Sequence, residues 1–477
     1  MKITLINPPI TVEEIYGKYS DLASFQPPIG LCALAAYLIK HGYKEVKIID
    51  ANAMKFSVSD IVNNIIKDSP DLVGIYTNTS NYYAVSKLTS EIKKAKKSQK
   101  VVLGGPHPTF LPKDTIEETV ADYCVIGEGE ETLLELVQYI DTPLQHSNSE
   151  GLEKINGLVF RRSDSLIVIN RPRKRIDDLD NLPFPAVHLL PQLSKYKLYL
   201  LHYKRLPYMT LITSRGCPHK CTFCETPFGK LVRFHSPDYV VDYIAYLANQ
   251  FGVKELHFCD DTFTLDEKRV VAICDLIKKR NLDVTWYANV RANIKDRNIF
   301  KAMKGAGCWI CAVGVESGDP EILHLIGKQI TIEEIMATCD SVLKAGLILK
   351  SFFILGNPGE TLETIEHSIR FAISLKAHYP VFSLMTPYPG AKLWETAEKY
   401  GTFDRTNFQK LKISTSDPVF IPFGMTKEIL LKKQKEAFRR AYCNLGMVAR
   451  QLAVIRSLDD IRKIAKAAYI FFKVEII

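Results

Sequence analysis

The sequence predicts an α/β protein made of two successive β/α domains. The first is a flavodoxin-like doubly wound sheet. The second is a partial (β/α)6 barrel of the TIM type, and a helical C-terminal extension follows it. Two observations support this fold class: short apolar runs alternate with helix-period segments in two separate series, and the 477 residues are too many for one hydrophobic core.

The first series occupies residues 1–140. Its apolar runs lie at 3–7, 46–50, 72–76, 101–104 and 123–127. Short apolar strands that alternate with helices are typical of a parallel sheet covered on both faces. Five such strands fit a flavodoxin-like order, whose ligand crevice lies beyond the carboxyl ends of the strands. We therefore expect a binding rim in the turns that follow four of these strands, at residues 7–9, 77–80, 104–107 and 127–130.

Residues 141–200 lose this alternation and are predicted to be a linker that contains a hairpin at 157–170. The second series fills residues 201–400. Six β/α units suggest a partial barrel with its chemistry at the carboxyl ends of the strands. Its strands are predicted at 209–214, 255–259, 284–288, 310–315, 351–355 and 381–385. Residues 401–477 are predicted to be mainly helical.

Composition narrows the class of protein. No stretch reaches the roughly 18 uninterrupted apolar residues that a membrane span needs, and the apolar run at the N-terminus is too short for a signal peptide. We therefore expect a cytoplasmic protein. Eleven cysteines in such a chain indicate metal ligands or buried thiols more than disulfides.

Three cysteines carry the chemistry. Cys217, Cys221 and Cys224 lie within eight residues, directly after the first predicted barrel strand. Thiolates are the usual ligands of a [4Fe-4S] cluster, which needs four ligands. Three close-spaced thiolates leave one iron open, and an open position distinguishes a catalytic metal site from a structural one. The open iron can take the amino and carboxylate groups of S-adenosylmethionine and deliver one electron to its sulfonium.

Two other sites would use the same thiols: a zinc site, or an electron-carrier cluster completed by a distant Cys or His. The spacing of three and then two residues, with aromatic Phe223 before the last cysteine, favours the catalytic cluster.

This cysteine pattern resembles the radical S-adenosylmethionine superfamily. The resemblance implies that Cys217, Cys221 and Cys224 bind the cluster and that Phe223 lies near the adenine. It also implies S-adenosylmethionine contacts at the carboxyl ends of later strands, and these residues are Asp261, Arg291, Glu316 and Ser317.

Residues 1 to about 400 are similar to the cobalamin-binding branch of that superfamily, notably to anaerobic magnesium-protoporphyrin monomethyl ester cyclase and to hopanoid-modifying enzymes. The matching segments are 28–31, 102–109, 126–130 and 386–390. The resemblance implies cobalamin in the first domain. The residues expected to contact it are Pro9, Thr77, Ser80, Gly104, Gly105, Gly127, Glu128 and Gly129.

One departure from that branch matters. Many cobalamin domains carry D-x-H-x-x-G after the first strand, but residues 7–30 contain no histidine, so cobalamin would have no histidine ligand from this motif. His107, in a Pro-His-Pro turn after the fourth strand, is a poor substitute. A domain that no longer binds cobalamin, or that binds another nucleotide, stays an alternative. G-x-G-x-x-G is absent after the first strand, which disfavours a dinucleotide.

Cys308 and Cys311 form a second C-x-x-C. They frame the start of a predicted strand, where residues an odd number apart point to opposite faces, so we expect buried thiols and no chelation.

The C-terminal segment is basic. Residues 425–477 hold twelve Lys and Arg and five Asp and Glu, a net +7 of the chain's +9. Two interpretations of this segment remain. It is either a basic amphipathic helix that lies on the inner face of a membrane or a helix packed on the barrel. Nucleic-acid binding is disfavoured, because no surface aromatics join the cations.

The expected function is a cobalamin-dependent radical reaction. A 5′-deoxyadenosyl radical would activate an unactivated carbon, and methyl transfer to a lipid-like or tetrapyrrole-like small molecule would follow. A reducing partner of the flavodoxin or ferredoxin type is implied. Ring closure or oxidation, and an electron carrier without turnover, remain alternatives. A methylthio-transferring enzyme is disfavoured, because it expects a second cysteine trio in the first domain.

Overall fold

In the computed structural model, described residues are 1–10, 25–142, 150–162, 165–196, 203–406, 408, 411, 418–455 and 457–475. They divide into two compact units. One contains residues 1–10, 25–196 and 226–229, and the other contains most of the remaining chain. Each unit is built on its own sheet.

The first unit holds a seven-stranded sheet in the order β2-β1-β3-β4-β5-β6-β7. Its first five strands are parallel, which confirms the flavodoxin-like order. The strands are β1 (Ile3–Asn7), β2 (Val46–Asp50), β3 (Leu72–Tyr76), β4 (Lys100–Gly104), β5 (Tyr123–Val125), β6 (Leu158–Arg161) and β7 (Ile167–Ile169).

Helices cover both faces of this sheet, as a doubly wound fold requires. Ile3 and Leu5 belong to the apolar layer on one face, whereas Ile6 belongs to the layer on the other, as the period of two in a strand dictates. The helices are α1 (Ile29–Lys40), α2 (Ala51–Met54), α3 (Val58–Asp68), α4 (Tyr82–Ala95), α5 (Pro106–Phe110), α6 (Pro112–Glu118), α7 (Gly129–Asp141) and α8 (Glu150–Glu153).

The hairpin predicted within the linker extends this sheet. β6 pairs antiparallel with β5, and β7 pairs antiparallel with β6. Residues 150–196 therefore belong to the first compact unit. The domain boundaries at 140, 200 and 400 stay predictions.

The second unit contains a six-stranded parallel sheet in the order β15-β14-β13-β12-β11-β8, which confirms the partial barrel. Two-stranded pairs flank it. The strands are β8 (Tyr208–Leu211), β9 (Ser214–Arg215), β10 (Arg233–Phe234), β11 (Glu255–Phe258), β12 (Thr285–Arg291), β13 (Cys308–Glu316), β14 (Ile348–Leu355), β15 (Tyr379–Leu384), β16 (Gly401–Phe403) and β17 (Phe420–Pro422).

Helices follow the barrel strands, and several of them begin at capping residues. Ser236 caps the first helix through the backbone N–H of Tyr239, and Thr331 forms a capping box with Glu334 at a later one. The helices are α9 (Pro237–Phe251), α10 (Glu267–Lys279), α11 (Ile299–Gly305), α12 (Pro320–Leu325), α13 (Ile332–Lys344), α14 (Leu362–Ser374), α15 (Lys392–Thr396), α16 (Lys427–Tyr442), α17 (Leu445–Val454) and α18 (Leu458–Glu475). None of these described helices is long and apolar enough to cross a bilayer.

The first barrel strand is shorter than predicted. β8 ends at Leu211, and Ser214 and Arg215 leave the barrel sheet to pair antiparallel with β10. The predicted strand at 209–214 is therefore wrong at its carboxyl end. The chain changes direction there, before the cysteine loop begins.

The expectation that Cys308 and Cys311 face opposite sides is also wrong. The pairing of β12 with β13 shifts by one residue, so Cys308 lies opposite Trp286 and Cys311 lies opposite Ala288. Trp286 and Ala288 share one face of β12, and the two thiols therefore share a face as well. Both thiols are buried, and burial together with the neighbouring Cys311 thiol raises the pKa of Cys308.

Adjacent glycines at the end of β4 give a test of this fold. Gly105 has φ +124°, and a Cβ there would lie 2.5 Å from the carbonyl oxygen of Thr77. At Gly104 a Cβ would meet nothing closer than 3.9 Å. We expect Gly105→Ala to lower the free energy of unfolding by about 1–3 kcal/mol or more. Urea unfolding followed by far-UV circular dichroism measures it.

Gly104→Ala is the matched control and should lie within about 1 kcal/mol of the parent chain. Equal stability of the two variants would show that the turn after β4 is not built as described.

Candidate active site

Cys217, Cys221 and Cys224 lie in one loop after β9 that has no regular secondary structure. Cys217 and Cys221 are half-buried, and Cys224 is exposed. Among the described residues, no group of three Cys, His or carboxylate side chains is placed to hold a single metal ion. A [4Fe-4S] cluster has a different requirement, since each thiolate binds its own iron.

Backbone hydrogen bonds fix the shape of this loop. The N–H of Thr222 donates to the carbonyl of Ile326 at 2.8 Å, and the N–H of Leu393 donates to the carbonyl of Thr222 at 2.7 Å. Gly327 lies so close that a Cβ there would be 2.7 Å from the carbonyl oxygen of Lys220. The cysteine loop is therefore held by the segment that follows α12 and by the first turn of α15.

Asp260 fixes the base of the same loop. Its buried carboxylate accepts hydrogen bonds from the Thr213 N–H at 2.7 Å, the Thr213 hydroxyl at 3.0 Å and the Ser214 hydroxyl at 2.7 Å. Burial raises the pKa of Asp260, and these bonds oppose that effect. The carboxylate thus ties the end of β11 to the segment that leads into the cysteines.

The Cys224 side of the loop is acidic. Desolvation, then the charges of Asp261 and the other two cysteines, raises the pKa of the Cys224 thiol to about 12. Burial and Asp261 raise the pKa of Glu225 to about 7. A thiol in such surroundings keeps its proton until a cation replaces it, and thiolate ligation is a displacement of this kind.

The Cys221 side is basic. Arg291 ends β12, and its Nη1 donates to the sulfur of Cys221 at 3.8 Å. Its Nη2 donates to the backbone carbonyl of Lys328. Burial, followed by the charges of Arg291, Lys328 and Lys230, lowers the pKa of His219 to about 4. Positive charge therefore lies beside one sulfur of the loop.

Glu316 ends β13 in a left-handed backbone conformation, with φ +70°. Its carboxylate forms a buried ion pair with Lys328, with Oε1 and Nζ 2.8 Å apart. Gly314 makes this geometry possible, because a Cβ there would lie 2.6 Å from Oε1. The Glu316 carboxylate already binds one ammonium group, which is also what the amino end of S-adenosylmethionine offers.

The other predicted S-adenosylmethionine contacts are placed differently. Ser317 is fully buried and shares a 3.0 Å hydrogen bond with Ser368 on α14. Phe223 is half-buried in the cysteine loop, and Asp261 is exposed after β11. The structure brings Arg291 together with Cys221, and it gives the hydroxyl of Ser317 a structural partner.

In the first unit, the glycines predicted at the carboxyl edge of the sheet have two kinds of surroundings. Some are packed against neighbouring residues, and one leaves open space. The space beside Gly105 is filled by Thr77 and Tyr76, and the space beside Gly129 is filled by Leu34. Gly127, with φ +73°, has no heavy atom within 4 Å of its Cβ position. Only the last of these positions leaves open space, while Gly104 ends β4 beside them.

Two polar rim residues are used within the fold. The Glu128 carboxylate accepts the N–H of Ile176 at 3.0 Å. The N–H of Thr77 donates to the carbonyl of Gly104 at 2.7 Å, and its buried hydroxyl donates to Ile75. Pro9 follows β1 and is half-buried, as is Ser80 after β3. Part of the predicted rim therefore serves to hold neighbouring loops, and its role in binding stays a prediction.

His107 lies beneath this rim. It is fully buried, its Nδ1 lies 3.1 Å from the Thr79 hydroxyl oxygen, and its ring stacks on Tyr82 at 4.1 Å between centroids. Burial lowers its pKa to about 4. The ring is thus packed within the fold, and the view of His107 as a poor substitute for the missing motif histidine stays a prediction.

The donor sets fit the groups that the sequence implies. The thiol set suits iron, with an arginine donor at one sulfur and a buried carboxylate nearby on β13. The rim of the first unit offers an open glycine backbone for a large flat ligand. The sequence did not reveal Lys328, because it belongs to no motif and only its ion pair with Glu316 gives it a role.

Comparisons with known proteins agree with this architecture. The family model of the radical SAM superfamily matches residues 211–372, and that of the B12 binding domain matches residues 20–137. The two matches fall on the barrel and on the doubly wound sheet, although β1 and β15 lie outside the matched ranges.

A relative from Pyrococcus horikoshii, described as uncharacterized methyltransferase PH0819, is 37% identical over 447 residues, which are 93% of this chain and 92% of the relative. The anaerobic magnesium-protoporphyrin IX monomethyl ester cyclase of Rubrivivax gelatinosus is 28% identical over 93% of this chain and 78% of its own.

Among solved structures, the cobalamin-dependent S-adenosylmethionine radical enzyme OxsB, with aqua-cobalamin and S-adenosylmethionine bound, superimposes with a TM-score of 0.76. The match covers 100% of this chain and 72% of OxsB at 16% identity, so it shows the fold. With the first of these relatives matched over nearly its whole length, the chain belongs to the radical SAM superfamily, in the branch of methyltransferases and cyclases that carry an amino-terminal B12-binding domain.

Proposed function

We propose that this chain is a cobalamin-dependent radical SAM enzyme that transfers a methyl group to an unactivated carbon of a small molecule. The observation that carries the proposal is the cysteine loop. Three thiols project from a loop fixed by Asp260 and Ile326, with Arg291 bonded to one of them. The family membership and the relatives' names support methyl transfer.

The proposed roles follow from the site. Cys217, Cys221 and Cys224 would hold a [4Fe-4S] cluster. When bound, the cluster would supply an electron to S-adenosylmethionine, and cobalamin would supply the methyl group. Glu316 would orient the amino group of S-adenosylmethionine, since its carboxylate already binds an ammonium group. Phe223, Asp261, Arg291 and Ser317 stay predicted contacts.

The first unit would bind cobalamin along the rim at the carboxyl ends of β1, β3, β4 and β5. Gly127 has open space where a side chain would lie, and this supports close approach of a ligand to the backbone. Cobalt would lack a histidine ligand from the first loop. The remaining contacts proposed here are Pro9, Thr77, Ser80, Gly104, Gly105, Glu128 and Gly129.

Ring closure is the second candidate, because the magnesium-protoporphyrin cyclase matches 93% of this chain. The substrate class we propose is lipid-like or tetrapyrrole-like. A low-potential electron donor of the flavodoxin or ferredoxin type would reduce the enzyme.

The proposed function predicts a defined set of bound groups. Full-length protein purified and reconstituted without oxygen should contain four iron and four sulfide per chain, the composition of a [4Fe-4S] cluster, together with a corrinoid. Reduced with dithionite, it should cleave S-adenosylmethionine to 5′-deoxyadenosine and methionine. Alanine at Cys217, Cys221 or Cys224 should abolish both the cluster and the cleavage, because each thiolate holds one iron.

Cys339→Ala is the matched control, since Cys339 is a buried thiol on α13, away from the cysteine loop in sequence, and it should retain full iron. A loaded cluster that leaves S-adenosylmethionine intact would identify an electron carrier. A lone zinc ion would contradict the radical mechanism, and failure to bind any corrinoid would contradict methyl transfer from cobalamin.

We also propose that the C-terminal segment binds an anionic membrane surface. One face of helix α17 is packed, since Met447 is buried and Gln451 donates to the carbonyl of His378 at 2.8 Å. Its outward face carries Leu445, 89% exposed, and Leu452, 63% exposed. A helix that turns apolar side chains outward has a surface that favours a partner.

Helix α18 continues this arrangement. Lys463 is buried against the Tyr203 ring, with its Nζ 4.0 Å from the ring centroid, while Leu458 and Tyr469 are exposed on the other side. Arg462 and Lys466 lie along one edge of that exposed stripe at helical spacing. Apolar residues flanked by cations are typical of helices that lie on anionic lipid.

Flotation with vesicles tests this second proposal. The full chain should float with vesicles of phosphatidylserine and phosphatidylcholine and stay behind with phosphatidylcholine alone. The double variant Leu445→Glu, Leu452→Glu should lose at least tenfold in bound fraction, because two charges would enter the apolar contact.

Met336→Glu serves as the control, since Met336 is an exposed apolar residue on α13 of the barrel. It should float like the parent chain. A parent chain that does not float with anionic vesicles, or a double variant that floats equally well, would rule out the membrane contact.

A further inference from the structure

Arg291 has a contact that binding of S-adenosylmethionine does not explain. It is 7% exposed at the end of β12, and its Nη1 lies 3.8 Å from the Cys221 sulfur. A donor at this distance from sulfur is within hydrogen-bonding range. The guanidinium is held in place, because Nη2 donates to the backbone carbonyl of Lys328. The contact is therefore part of a fixed arrangement.

The neighbouring carboxylate of Glu316 is paired with another cation, so the Arg291 guanidinium can interact with Cys221. The Glu316 carboxylate is engaged by the Lys328 ammonium at 2.8 Å. The Lys328 backbone carbonyl, to which Arg291 donates, is neutral. The Arg291 Nε is buried and has no hydrogen-bond partner among the described residues. The sulfur of Cys221 is thus the anionic group within reach of Arg291 once that thiol is deprotonated.

Positive charge at a ligand sulfur has a defined effect on an iron–sulfur cluster. Each thiolate adds negative charge, and reduction adds one more unit. A nearby cation and an N–H···S hydrogen bond stabilise the more negative, reduced form more than the oxidised form. Net charge and hydrogen bonds to the sulfurs are among the factors that set cluster potentials. Burial strengthens the effect, because solvent screens the charge less.

We propose that Arg291 raises the reduction potential of the cluster through its bond to Cys221 and so makes electron uptake from the reducing partner easier. Arg291 would not bind the iron itself. It acts through Cys221, a proposed cluster ligand, and is therefore a positioning residue. The inference rests on the proposed function, because it requires the cluster. It goes beyond the S-adenosylmethionine contact predicted for this residue.

A redox titration of the reconstituted full chain tests the proposal. The cluster is poised with dithionite and mediators in the absence of S-adenosylmethionine, and its reduced form is counted by electron paramagnetic resonance. At the wild-type midpoint, Arg291→Gln should lower the ratio of reduced to oxidised cluster about tenfold, which for one electron is a shift of about 59 mV to more negative potential.

Arg291→Lys keeps the charge but lacks the planar fork that reaches both Cys221 and Lys328. Its midpoint should lie between those of the wild type and Arg291→Gln. Arg205→Gln is the control, since Arg205 pairs with Asp283 in a partly exposed ion pair at the start of the barrel strands. It should titrate like the wild type.

The outcomes separate the two claims. A wild-type chain that assembles no cluster would contradict the proposed function itself. Arg291→Gln with full iron and an unchanged midpoint would overturn the inference and leave the function standing. If Arg291→Gln does not assemble a cluster, Arg291→Lys decides: a midpoint equal to wild type overturns the inference, and a more negative one supports it.

Discussion

The buried Asp260 carboxylate is the contact on which the cysteine loop depends. Three ligands within eight residues need a loop without regular structure, and such a loop has few hydrogen bonds of its own. Asp260 accepts three bonds from Thr213 and Ser214, where the chain leaves the barrel sheet. Removing a buried acceptor that has three donors is costly, because each donor would stay buried without the hydrogen bond that offsets its desolvation. The position of the thiols is therefore set by β11 as well as by their own sequence.

The same loop lies between charges of opposite sign. Burial, and after it the charge of Asp261, raises the pKa of the Cys224 thiol to about 12. Arg291 donates to Cys221 on the other side. Lys328 links this basic side to the buried Glu316 carboxylate. The sulfurs of Cys221 and Cys224 therefore lie in unequal electrostatic surroundings within one short loop.

Sequence patterns predicted the architecture because apolar periodicity reports which faces are buried. They could not predict features that depend on partners distant in the chain. The one-residue shift between β12 and β13 puts Cys308 and Cys311 on one face, although alternation places them on opposite faces. Lys328 gains its role only through Glu316. The cysteine trio was visible because its spacing is local, and local spacing is what a single sequence preserves.

Both units place polar residues at the carboxyl ends of parallel strands, but these residues divide into two kinds. Glu128 and Ser317 form hydrogen bonds with neighbouring segments of the protein. Gly127 instead has open space at its Cβ position, and Cys224 is an exposed residue of the cysteine loop. A loop can present a group to a ligand only if other groups in it hold the backbone in place. Residues of the first kind thus hold the loops in which those of the second kind lie, and substituting Glu128 would remove the acceptor that holds the backbone N–H of Ile176.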